Sequence, residues 1–333
     1  MDIHAIDPAD EAEVAEAHAA YVAAESYGRP RSDAMDHGSF ASSLRTTTAG
    51  SPWRGWVVRG DGAVVGVGLL RWPTLDNLQV CWGWVSVLPE HRRRGYGGAL
   101  LATLCDAARD LGRTRLELDA IEPVGAENPP SHAFLAANGL RAVMHEERSE
   151  LRLPVPGPLL ADLSARVPAG HPYLLETWTN ATPEHRSAAF RGVLGRVEIE
   201  SPHGDRDVEP EQWTEGRLRT EESRRRESGW TTWTTAAFTS TGECAGFTEL
   251  CARTEDDPTA RQSGTLVTAG HRGHRLGLAV KLANLRALQA DRPDLTAVTT
   301  YTSPENAPMR SVNDALGFSP IETLDLWSLD LGS

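Results

Sequence analysis

The chain of 333 residues has little cysteine, no long apolar run and a shortage of positive charge. Its four cysteines, Cys81, Cys105, Cys244 and Cys251, form no CxxC pair and no zinc-type spacing. That excludes a disulfide framework and a cysteine-based metal site, and leaves reduced thiols. His271 and His274 stand three residues apart with no third ligand nearby, so no metal is expected. No stretch approaches the roughly 20 apolar residues that cross a bilayer. The opening MDIHAIDPADEAEVAEAHAA is acidic and lacks a signal-peptide layout, so a cytoplasmic location is expected, with no membrane partner. With 46 acidic against 33 basic side chains, the surface repels nucleic-acid backbones and favours small cationic or amine-bearing partners. The basic stretch RLRTEESRRRES (Arg217 to Ser228) is interleaved with acids at helical spacing and reads as a solvated helix face.

What is present is a globular composition, 40% hydrophobic and 24% charged, over a length that fits two domains. A repeat organises it. Residues 53–100 laid on 233–280 without a gap pair Trp53 with Trp233, Gly66 with Gly246, His91 and Arg92 with His271 and Arg272, and Gly97 with Gly277. A slightly shorter shift pairs Asn128 with Asn306 and Gly139 with Gly317. So long a period indicates a duplicated domain rather than a solenoid. The Pro- and Gly-rich PVPGPLLADLSARVPAG (Pro154 to Gly170) divides the copies into 1–165 and 166–333, and the alternating ERSELRL before it is expected to close the first sheet.

Periodicity gives each half the same elements. In the first, DEAEVAEAHAAYVAAES reads as a helix, GWVVR and AVVGVGLLR as strands joined at Asp61 and Gly62, and LQVCWGWVSVL as a longer strand. A helix (GGALLATLCDAARDLG), a strand (RLELDA), a short helix (SHAFLAAN) and a last strand from Leu140 follow. The second half repeats them, with a helix from Leu278 to Ala290, the strand TAVTTYT and a helix from Pro308 to Leu316. The fold class is α/β in the α+β sense: in each half a mixed, mostly antiparallel twisted sheet with helices on both faces. The tryptophans Trp53, Trp56, Trp82 and Trp84 sit on strands and read as packing residues.

HRRRGYGGALL (His91 to Leu101) stands where a strand ends and a helix begins. A helix N-terminus leaves amides unpartnered and carries partial positive charge. Glycines let the backbone curl around an anion and arginines add charge, which together make a pyrophosphate cradle. The Walker pattern fails because Gly97 is followed by Gly98 and Ala99, and the dinucleotide fingerprint fails because arginine stands at its first glycine. VSVLPEHRRRGYGGALL instead resembles the acyl-CoA loop of the GNAT superfamily of N-acetyltransferases, Q/R-x-x-G-x-G/A after a strand. NPPSHAFLAANGL and NAPMRSVNDALGF resemble that family's asparagine helix, so the resemblance covers both halves.

The resemblance implies the following assignments. Backbone groups near Val85 and Val87 would bind the pantetheine arm of acetyl-CoA or another acyl-CoA. Arg92, Arg93, Arg94, Gly95, Tyr96, Gly97 and Gly98 would hold its pyrophosphate, and Asn128 would contact the arm. In the second half the matching positions are Leu266, Val267, Arg272, Gly273, His274, Arg275, Leu276, Gly277 and Asn306, with Arg275 departing from the motif's glycine. The activity implied is direct acyl transfer to an amine, which needs a deprotonated amine, an oxyanion donor and an acid for the thiolate. The family's tyrosine acid is replaced by Leu135 and Asn313. Candidate catalytic groups are Cys81, Asp119 and His132 in the first half and Glu249 and Tyr301 in the second. His132 reads more readily as a capping or solvent-facing residue, and Tyr301 as strand packing. The expected acceptor is a small-molecule amine. Another donor (a longer acyl-CoA or, against the acidic surface, an aminoacyl-tRNA) and acyl-CoA binding without turnover are the alternatives. Monomer and homodimer are both open.

Overall fold

The computed structural model describes residues 1–45, 51–168, 170–253 and 257–332. It contains β1 (Asp2–Ala5), α1 (Glu11–Glu25), α2 (His37–Arg45), β2 (Trp53–Gly60), β3 (Ala63–Arg71), β4 (Val80–Val87), α3 (Tyr96–Asp110), β5 (Arg115–Pro123), α4 (Pro130–Ala137) and β6 (Arg141–Arg152). There follow α5 (Gly157–Ala165), β7 (Leu174–Thr179), α6 (Glu184–Leu194), the single turn α7 (Val197–Glu200), α8 (Glu215–Glu227), β8 (Trp230–Phe238), β9 (Cys244–Arg253), β10 (Thr259–Val267), α9 (Leu276–Asp291), β11 (Ala297–Thr302), α10 (Ala307–Leu316) and β12 (Ser319–Asp330). Among the described residues no helix is long and apolar enough to cross a membrane.

Two compact units are formed: Met1–His145 with Thr323–Ser333, and Glu146–Glu322. In the first, β1, β2, β3 and β4 pair antiparallel in that order, and β5 lies parallel to β4, its crossover made by α3. One face of this sheet packs on α1 and α2 through Val14, Ala17, Tyr21, Phe40, Val57, Val67 and Leu69. The other packs on α3 and α4 through Leu100, Leu101, Leu104, Cys81, Leu116, Leu118 and Leu135. The inward stripe of α1 is apolar at helical spacing, and Asp10 starts the helix by accepting from the amides of Ala12 and Glu13. In the second unit β7, β8, β9 and β10 pair antiparallel and β11 lies parallel to β10.

ERSELRL does not close the first sheet. Glu147–Arg152 instead pair antiparallel with β11 in the second unit, Arg152 opposite Ala297 and Glu147 opposite Thr302. In the first unit β12 lies beside β5, the amide of Leu331 donates to the carbonyl of Thr114, and Trp327, Leu329 and Leu331 join the α3-side core. Alternating apolar residues specify that a strand is half buried but not which neighbour buries it.

The ungapped repeat also breaks at one hairpin. Val57 opposes Val67 in the first unit, and Ala236 opposes Phe247 in the second, so the registers differ by one residue. Trp53 therefore faces α1 and stacks on Trp84 at 4.9 Å, whereas Trp233 lies in the α9-side core and donates its indole N–H to Asp291. The basic run on α8 is mostly a solvated face with ion pairs such as Arg219–Glu215 and Arg224–Glu221. Arg225 reaches Glu249 on β9.

Candidate active site

In the first unit β4 and β5 are paired only from Val80 opposite Arg115 to Gly83 opposite Leu118, although both strands continue. The strands splay beyond that point and open a slot. The amide of Leu88 donates to the carbonyl of Val65 on β3. Backbone groups alternate direction along a strand, so Val85 and Val87 turn theirs the other way, into the slot. The second unit repeats this geometry. β10 pairs with β11 only from Thr259 to Arg261, and the amide of Thr268 donates to the carbonyl of Ala245. There the inward groups belong to Thr265 and Val267. Leu266, expected at this position, turns its amide toward β9; Thr265 and Val267 are the residues that the ungapped repeat lays on Val85 and Val87.

At the mouth of each slot the chain turns through the same backbone. Arg93 and Gly95 have φ of 63° and 86°, and their counterparts Gly273 and Arg275 have 85° and 56°. Two left-handed residues separated by one other curl successive amides toward a common centre. Arg275 therefore keeps the loop conformation that glycine gives at Gly95, and its guanidinium is drawn aside to the carbonyl of Arg166. Arg92 and Arg272 each donate from Nε to the carbonyl of the last strand residue, Val87 and Val267, at 3.0 Å, pinning the loop to the strand. Arg94 and His274 are exposed. Tyr96 and Leu276, the first residues of α3 and α9, pack inward on their own units' cores.

Neither α3 nor α9 has a side-chain cap at its N-terminus, unlike α1, α8 and α10, which are capped by Asp10, Thr214 and Asn306. Since α4, α5 and α6 are uncapped as well, what sets the starts of α3 and α9 apart is the left-handed turn that precedes their bare amides. Gly98 borders open space, and a Cβ on Gly97 would approach the Phe134 ring at 3.3 Å. Gly97 thus lets α3 lie close to α4. The two asparagines differ. Asn306 caps α10 by accepting from Met309, while Asn128 is exposed and left-handed, with φ 50°.

The candidate catalytic groups fall on different faces. Cys81 points into the α3-side core, where burial pushes its thiol up to about 12. Such a thiol stays protonated at neutral pH and cannot take a proton. Asp119 alternates with the core residues Leu118 and Ala120, so it lies on the opposite face, that of α1. His132 turns toward β12, with Nε2 at 3.1 Å from Asp325, too poorly aligned for a hydrogen bond, and its ring against Trp327. Asp325 also takes His145 at 2.7 Å. His132 thus fastens α4 to the C-terminal strand rather than facing the slot. In the second unit Glu249 is held by Arg225, Ser263 and Thr234. Burial raises its pKa, but the Arg225 charge and these hydrogen bonds outweigh it and leave a lowered value, hence a weak base. Tyr301 lies opposite Arg148, whose guanidinium stands over its ring at 5.9 Å.

Two further polar groups stand outside the candidate catalytic residues. Glu25, on the last turn of α1, accepts from Ser86 Oγ at 2.6 Å and from Arg29 at 3.3 Å. Its position four residues after Tyr21 on the inward stripe was the available signal. In the second unit Lys281 of α9 is buried, donates to Asn313 of α10 at 2.8 Å, and Asn313 donates to Thr302 at the end of β11. The corresponding first-unit positions, Leu101 and Leu135, are apolar and buried.

Residues 18–140 match the acetyltransferase (GNAT) family. No curated protein matches the chain in sequence. Among solved structures the chain is similar to a tandem GNAT protein from the clavulanic acid biosynthesis pathway, with a TM-score of 0.80, 29% identity, and coverage of 100% of this chain and 99% of that one. A GCN5-related N-acetyltransferase from Sphaerobacter thermophilus shares the fold, with a TM-score of 0.68, 14% identity, and coverage of 100% and 96%. So does a putative acetyltransferase from Pyrococcus horikoshii, with a TM-score of 0.56, 13% identity, and coverage of 99% and 89%.

Proposed function

We propose that this chain, whose residues 18–140 match the acetyltransferase (GNAT) family and whose full length is similar to a tandem GNAT protein, uses its first half to move an acetyl group from acetyl-CoA to the primary amine of a small molecule by direct transfer. The observation that carries this reading is the conjunction at β4: a strand whose Val85 and Val87 amides face a slot, followed by a left-handed nest and an uncapped helix N-terminus. Val85 and Val87 would align the pantetheine arm as an added strand does. The nest at Arg93 to Gly95 and the first amides of α3 would hold the pyrophosphate. The acyl-CoA supplies an activated thioester. The chain's own part is to orient it, to offer a backbone N–H to the developing oxyanion and to bring in a neutral amine. Leu135 offers no proton to the departing sulfur, and a thiolate is a modest enough base to leave without one.

We divide the chain functionally as the repeat does, 1–165 and 166–333, and assign the second half acyl-CoA binding through Thr265, Val267 and the loop from Arg272 to Gly277. A reading without turnover in this half is favoured by Glu249, whose carboxylate is committed to Arg225, Ser263 and Thr234.

Calorimetric titration of acetyl-CoA tests the assignment. Gly98→Glu places a carboxylate at the first nest where there is room for it, and Gly277→Glu does the same in the second half, where a Cβ meets only Val267 at 3.7 Å. Loss of one binding event in each variant is expected, with acetyl transfer lost only in Gly98→Glu. Turnover lost only in Gly277→Glu would reverse the assignment, and wild-type protein that bound no acetyl-CoA would refute the donor.

A further inference from the structure

We infer that Glu25 is the general base that takes the proton from the acceptor amine in the first half. The inference rests on the reading that this half performs acyl transfer, and it adds the residue that activates the acceptor.

The argument begins with faces. The slot between β4 and β5 is roofed on one side by α3 and α4, whose Leu101, Leu135 and Phe134 pack over it. An acceptor therefore reaches a thioester carbonyl held at the amides of Val85 and Val87 from the other side, that of α1. Ser86 stands between those two residues with its side chain on the α1 side, where it donates to Glu25 Oε1 at 2.6 Å. The Glu25 carboxylate is thus one serine away from the two amides that would align the donor. Its side chain is 25% exposed, enough for an amine or a bridging water to reach it. Cys81 points into the core on the far side and His132 toward Asp325, so neither competes.

The surroundings suit a base. The groups that face Glu25 are Ser86 from β4, Arg29 and Asp33 from the segment after α1, Arg92 from the β4–α3 loop and Tyr21 from α1 itself. Burial raises the Glu25 pKa, and the Asp33 charge adds to this. Ser86, Arg29 and Arg92 pull it back without cancelling the rise. A carboxylate with a raised pKa is a stronger base than a solvated one. Tyr21 is pushed well above the usual phenol range by burial and by the Glu25 charge, so it stays protonated and does not compete for the role.

In the step itself Glu25 takes a proton from the incoming ammonium, directly or through one water. The freed nitrogen lone pair forms the C–N bond to the acyl carbon. The C–S bond breaks with its electron pair going to sulfur, the second proton on the attacking nitrogen passes through water to the thiolate, and the protonated Glu25 returns its own to solvent. One ammonium and one thioester thus give an amide, a thiol and one released proton.

The test compares two acceptors, hydroxylamine and glycinamide, with acetyl-CoA as donor and thiol release as the signal. Hydroxylamine is neutral at neutral pH and needs little help from a base. Glu25→Gln is expected to lower kcat/KM for glycinamide by roughly 10²- to 10⁴-fold, to remove the fall in rate toward acid pH, and to affect hydroxylamine far less. Acetyl-CoA binding by calorimetry should be unchanged. Ser86→Ala removes a hydrogen bond that favours the ionised carboxylate, so it should move the acid limb to higher pH with kcat at high pH retained. A purely structural Glu25 would depress both acceptors alike and leave the pH profile in place, which overturns the inference. If Glu25→Gln no longer binds acetyl-CoA, the Ser86→Ala profile decides alone. Wild-type protein that released no thiol with either acceptor would sink the acyl-transfer reading, and this assignment with it.

Discussion

Lys281 is the sole lysine of a chain that otherwise uses arginine for its positive charge, and it is buried, with one hydrogen bond to Asn313 and the Phe318 ring at 5.5 Å. Arginine stays protonated in proteins, whereas a buried lysine can shed its proton. Burial brings Lys281 down to about 7 from 10.5. The sign of its effect on stability follows. Between roughly pH 7 and 10 the unfolded chain holds a proton that the folded chain has released, so stability rises with pH across that window and the full penalty applies below it. At roughly 1.4 kcal/mol per pH unit the penalty is on the order of several kcal/mol. Replacing Lys281 and Asn313 together by leucine, the residue found at Leu101 and Leu135, is expected to stabilise the second unit near pH 7. It should also flatten the pH dependence of its urea midpoint. A single Lys281→Leu change gives a smaller gain because it strands the Asn313 carbonyl.

At the scale of elements, the unit that matters is strand, loop and helix: β4 with α3, and β10 with α9. The strand and helix of each were legible because a period near two switches to one near 3.6 at the Arg/Gly stretch. The glycines of the loop were visible as well, but the left-handed Arg93 and Arg275 were not, because a backbone angle leaves no trace in an arginine. The slot was equally hidden, since splaying of β5 from β4 depends on where pairing stops and not on the composition of either strand. Gly95, at φ 86°, allows the nest without cost. Gly95→Ala should lower first-unit stability by about 1–2 kcal/mol, seen as a lower denaturation midpoint, and weaken acetyl-CoA binding. Arg275→Gly should leave the second unit as stable or slightly more so, because relief of the left-handed arginine is set against loss of the bond to the Arg166 carbonyl.

For the whole molecule, the last strand of the chain contributes to the first unit. Leu331, 7% exposed, joins the α3-side core and donates its amide to the carbonyl of Thr114, and Asp325 lies beside both His132 and His145. Leu331→Ala is expected to destabilise the first unit by about 2–4 kcal/mol, although the two ends of the contact are more than two hundred residues apart. Ending the chain before Ser319 should unfold that unit, read as a loss of its transition in thermal or urea denaturation. A truncated protein that kept both transitions would show that the C-terminal strand is dispensable. In the other direction Glu147–Arg152 pair with β11, so a fragment ending near residue 165 carries a strand whose partner it lacks.

The sequence by itself determined the elements, their order, their duplication and the family resemblance, because periodicity, glycines at turns and the Arg/Gly loop are local properties that a repeat displays twice. It also marked the start of α3 as the candidate anion cradle. Only the tertiary structure decided which way each side chain faced. It put Cys81 and Asp119 on opposite faces and turned Trp53 and Trp233 to different sides through a one-residue change of hairpin register. It also decided which strand closed which sheet and brought Glu25 to Ser86 across sixty residues. The physical reason is the same in each case: pairing register and burial are settled between segments, by the neighbour that removes a side chain from water, and a single segment does not carry the identity of its neighbour.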